Sequence, residues 1–138
     1  MPRIRMLPLL LPCLLAACNE RAPVTATPPQ DLRGIMEQGA TIGMLTRAAF
    51  VCGTALPMQV QDRAARIEAV VIRIQERQGG LAARDAFLHS LQPPDFGPRQ
   101  RGRAAWCEAR RAEIARMDML LSGPEGAALV QQVEAALR

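Results

Sequence analysis

"VQDRAARIEAVVIRIQERQ", residues 60–78, is the stretch on which the fold turns. Val60, Ala64, Ile67, Val71, Ile74 and Gln78 recur at helical spacing, with Asp62, Arg66, Arg73 and Glu76 on the opposite face. That period belongs to an amphipathic helix and not to a strand, whose side chains would alternate. The helix is expected to begin near Pro57, which is tolerated in a first turn. Gly79-Gly80 breaks it. One apolar stripe so long demands other elements to cover it.

The flanking sequence supplies them. Asp31 is a good N-cap for a helix running to about Cys52, where Gly53 is a fitting stop. The apolar face expected for it carries Leu32, Ile35, Met36, Ile42 and Phe50, with Gly39 and Gly43 one turn apart for close approach of a neighbour. Beyond the glycine pair, Leu81–Leu91 reads as a shorter helix presenting Leu81, Phe87, Leu88 and Leu91. The prolines and glycines of "QPPDFGPRQRGR", residues 92–103, mark the longest internal loop. A helix from about Gln100 to Leu121 follows, then Ser122-Gly123-Pro124-Glu125 opens a last helix to Leu137. Composition agrees: 49% of the 138 residues are hydrophobic, yet only three are Phe, one is Trp and none is Tyr. Such a core is aliphatic and suits helices better than strands. The expectation is one all-α domain over residues 31–138, a bundle of four to five helices held by one disulfide behind a Pro-rich tether.

The N-terminus carries a different grammar. Met1–Arg5 holds two Arg and no acid, and the apolar run from Met6 to Ala17 contains Pro8 and Pro12. It is too short and too broken to span a bilayer, which takes roughly twenty apolar residues. Residues 1–17 therefore read as a signal peptide. Its last residues with the next, Leu15-Ala16-Ala17-Cys18, resemble the lipobox of bacterial lipoproteins at every position. The resemblance covers residues 1–18 and implies cleavage before Cys18, acylation of its thiol and commonly of its new amine. Two or three acyl chains give stable anchoring where one does not. In enteric members of that family an Asp after the Cys favours retention in the inner membrane; Asn19 stands here, which implies outer-membrane delivery, facing the periplasm. "NERAPVTATPPQ", residues 19–30, has three prolines and no helical period, so it reads as an extended tether. At about 3.1 Å per residue it reaches roughly 37 Å.

With Cys13 leaving in the signal and Cys18 used for lipid, the chain keeps Cys52 and Cys107 in a compartment that permits disulfides. They are expected to bond, closing a loop worth roughly 4 kcal/mol by chain entropy. Two cysteines and the distant His89 are too few for a metal site, and there is no CxxC. No motif implies a cofactor.

All seventeen basic residues are Arg, and the formal charge of +4 drops to +2 when Arg3 and Arg5 leave with the signal. That small excess gives no footing for nucleic-acid binding. The notable cluster is Arg99, Arg101, Arg103, Arg110 and Arg111 around Trp106, with Glu108 the acid among them. Cations at a helix N-terminus oppose its dipole, so they are either offset by acids elsewhere or meet an anionic ligand: a lipid, a glycan or an acidic protein surface. Arg110 falls on the apolar stripe of Cys107, Ile114, Met117 and Leu121, where a guanidinium needs a partner; Glu68 is the expected one. Asp85 lies one turn before His89, but no nucleophile accompanies them, and no phosphate loop or nucleophile elbow is present. The reading is a membrane-anchored, periplasm-facing lipoprotein that acts without catalysis, as a binding or adaptor component of the envelope. A small envelope hydrolase, or an inhibitor of an envelope enzyme, is the alternative.

Overall fold

The computed structural model describes residues 31–138; the expected signal peptide, Cys18 and the expected tether lie outside the described residues. Four helices follow in order: α1 (Leu32–Val51), α2 (Met58–Ser90), α3 (Arg103–Ser122) and α4 (Pro124–Ala135). The Asp31 carboxylate accepts from the Gly34 N–H at 2.7 Å and caps α1. Within α2, Gly80 leaves the helical region (φ 70°, ψ −165°), so α2 is two helical limbs joined at a kink, and the two expected helices are separated where the glycine pair puts the break.

The stripe of residues 60–78 is the spine of the core. Val60, Ala64, Ile67, Val71 and Ile74 are buried, joined by Ile35, Ile42 and Leu45 of α1, Ile114, Met117 and Leu121 of α3, and Leu129, Val130 and Val133 of α4. Gln78, spaced to belong to the stripe, is exposed, beyond the last packed turn. α1 runs antiparallel to α2, its Gly39 against Val71 and its Gly43 against Glu68. A Cβ on Gly39 would lie 2.4 Å from Val71 Cγ2, so the glycine is what lets the two backbones close.

Where Gly43 leaves room, Glu68 accepts two hydrogen bonds from Arg47, both at 2.7 Å. The Arg47 guanidinium is held above the ordinary arginine range, chiefly by that hydrogen bond, with partial burial opposing it. This corrects the expected partnership of Glu68 with Arg110. Glu68 sits on the α1 side of α2 and meets the arginine one turn beyond Gly43, and it makes no ion pair with Arg110.

None of α1, α3 and α4 has a basic residue in its last turn. Arginines from other segments supply that charge. Arg103 donates to the Val51 carbonyl at the end of α1, Arg63 to those of Leu121 and Gly123 at the end of α3, and Arg77 to that of Leu137 after α4. Each satisfies carbonyls that a helix leaves unpaired and places a cation at the negative end of a dipole.

Cys52 and Cys107 are bonded, with their Cα atoms 5.6 Å apart, joining the end of α1 to the first turns of α3. One expectation for α1 fails nearby: Phe50 is 87% exposed. Ala64, Ala65 and Ala69 of α2 line the depression beside it, and such short side chains do not reach over the ring.

Candidate functional site

The arginine cluster is built on the turn that feeds α3. Gly97 (φ 64°), Gln100 (φ 49°) and Gly102 (φ 78°) all take left-handed backbone there. The Asp95 carboxylate accepts from the Gly97 N–H at 2.8 Å, which fixes Phe96 beside the helix. Phe96 meets Trp106 edge to face with ring centroids 5.5 Å apart. The Arg110 guanidinium lies 4.0 Å from the Trp106 ring centre and donates to the Trp106 carbonyl at 3.2 Å. Its Nε is buried without a partner. Arg110 thus finds a π-face in place of the carboxylate expected from its stripe position.

The five arginines separate by what they touch. Arg103 is engaged with Val51, Arg110 with Trp106 and Arg111 with Glu108. Arg99 and Arg101 are exposed, and neither makes a side-chain hydrogen bond or ion pair among the described residues. The first turn of α3 holds no acid, and Gly102 offers no side-chain cap. Two free guanidinium forks beside an uncapped helix start can take phosphate or carboxylate oxygens.

Elsewhere, Asp85 is paired with Arg84 at 2.8 Å, and His89 is exposed. No group of three or more His, Cys, Asp or Glu among the described residues is placed to hold a metal ion.

Sequence reasoning missed two grooves. One, of about 700 Å³, runs between α1 and α2 from Glu68 to Phe50, and Gln92 and Pro93 close it. A smaller hollow of about 280 Å³, lined by Thr54 and Leu56, lies on another side of the same ring. The second groove, about 450 Å³, lies between α1 and α3 over Met44, Leu45, Met117 and Leu120. The signal for the first was present: an aromatic at the end of one helix facing a run of alanines on the next. Compared with known protein families, with curated proteins and with solved structures, the chain matches none.

Proposed function

We propose that this chain is a lipoprotein anchored through Cys18, facing the periplasm from the outer membrane, and acting as a non-catalytic binding or adaptor component of the cell envelope. The observation that carries the reading is Leu15-Ala16-Ala17-Cys18, set after an apolar run and two arginines. One feature of the folded domain supports it. Its cysteines are bonded, which suits an oxidising compartment. Among the described residues no helix is long and apolar enough to cross a membrane. The binding face is the start of α3, where Arg99 and Arg101 stand free beside the Trp106–Arg110 stack. Mass spectrometry of the N-terminal peptide tests the anchor. Acylated Cys18 at the new terminus, and loss of membrane association in Cys18→Ser, are expected. An unmodified Cys18 in an uncleaved chain overturns the reading.

A further inference from the structure

The end of the domain opposite Asp31 carries two kinds of unsatisfied surface. α1 is 20 residues long, so Asp31 lies roughly 30 Å from the far end of the helix. Arg103 and the disulfide fasten the start of α3 to that far end. Gln92 and Pro93 share a groove with Phe50 there, and α2 begins there at Met58. The far end therefore gathers Phe50 and Met58, 87% and 80% exposed, with the unpartnered Arg99 and Arg101. The acids nearby have partners of their own: Glu108 pairs with Arg111, Asp62, one turn after Met58, lies 3.9 Å from Arg66, and Asp95 accepts from the Gly97 N–H.

We infer that this end docks on an anionic lipid bilayer; the inference rests on the anchoring reading above, which brings the domain to a membrane. A bilayer offers in one plane what these residues lack. Phosphate oxygens fit the planar guanidinium forks, and the acyl boundary below them takes an aromatic ring and a thioether chain. A small anion would engage the arginines and leave Phe50 and Met58 in water.

The test anchors the native acylated protein in neutral phosphatidylcholine vesicles and adds a second, labelled population containing phosphatidylglycerol. Capture of the second population is expected, weakened by salt and lowered roughly thirty-fold in Arg99→Gln/Arg101→Gln. Phe50→Ser is expected to lower it as well, at all salt concentrations. Equal capture of neutral vesicles, or capture indifferent to these substitutions, overturns the inference. Capture that needs protein on both populations replaces the lipid by a second copy of the chain. No capture, with a change in Trp106 fluorescence when anionic lipid is mixed into the anchoring vesicles, places the docking on the chain's own membrane and also supports it; no capture and no change overturns it. Retention in the neutral vesicles reports the Cys18 anchor separately. Should the chain not stay with them, the anchoring reading falls, and co-sedimentation of the free chain with anionic vesicles, read with the same variants, decides whether the far end binds lipid.

Discussion

The seam between α1 and α2 and the far end where α1 meets α3 treat their charged and apolar groups in opposite ways. Along the seam, two glycines bring the backbones together, and the Arg47–Glu68 pair is closed upon itself. At the far end, two arginines, a phenylalanine and a methionine have no internal use, although a disulfide and Arg103 hold the scaffold beneath them in place. A rigid frame under unsatisfied side chains is what a binding surface needs, since ordering it costs little at the moment of contact. The comparison predicts that seam substitutions cost stability and that exposed far-end substitutions cost binding.

The largest stability effect tests the frame. Cys52→Ala/Cys107→Ala releases a bond spanning 55 residues, an expected loss of up to about 4 kcal/mol in denaturant unfolding. A loss under about 1 kcal/mol would show that Arg103 and the core alone hold α1 to α3.

At the seam, Gly39→Ala drives a methyl to within 2.4 Å of Val71 Cγ2, and Val71 is fully buried and stiff at χ1. Overpacking of this kind costs about 1–3 kcal/mol, partly offset by the better helix propensity of Ala, about 1 kcal/mol. A net destabilisation is expected, relieved when Val71→Ala is added. A stabilised Gly39→Ala would mean that the helices part freely and the seam is not tight.

Much of this frame is legible in the sequence because it depends on near neighbours along the chain. The period of residues 60–78 is visible in one line and Gly80 announces its own break; Cys52 and Cys107, 55 positions apart, are paired by elimination and not by a local pattern, once two other cysteines are assigned elsewhere. Partnership across helices is another matter. A helical wheel gives Phe50 a place on the α1 face but not the length of the side chains opposite, and there they are alanines. It puts Glu68 beside an apolar stripe without saying which helix covers that edge. The capping of α1, α3 and α4 by Arg103, Arg63 and Arg77 joins residues 52 to 60 positions apart, so no local pattern reveals it. At the candidate site the cluster of arginines was visible, whereas its division into engaged and free members was not.

A smaller effect separates the two regions by coupling. Glu68→Ala strands Arg47, whose side chain is 26% exposed, and an expected cost of about 1–2 kcal/mol reflects a pair less screened than a surface one. In a double-mutant cycle with Arg47→Met, coupling above about 0.5 kcal/mol is expected; the cycle of Glu68→Ala with Arg110→Met should be additive, since the two groups share no partner. Coupling of Glu68 with Arg110 in place of Arg47 would restore the pairing that the wheel proposed.

The smallest effect is the sharpest test of the far end. Arg110→Met removes a cation stacked on Trp106, a contact worth about 0.5–1 kcal/mol. It also removes a buried Nε that has no hydrogen-bond partner, a group whose desolvation costs about 1–3 kcal/mol while it stays unpaired. The methionine keeps an unbranched apolar stem against the ring, with its sulfur able to rest at the ring edge. These changes oppose one another, so the melting temperature is expected to move by no more than about 4 °C. The emission of Trp106, the sole tryptophan, is expected to change because the charge over its face is gone. Capture of anionic vesicles should fall far less than in Arg99→Gln/Arg101→Gln, because Arg110 is already engaged within the domain. A fall as large as that of the double variant would move Arg110 from the frame to the docking surface, and the line between engaged and free arginines would have to be redrawn.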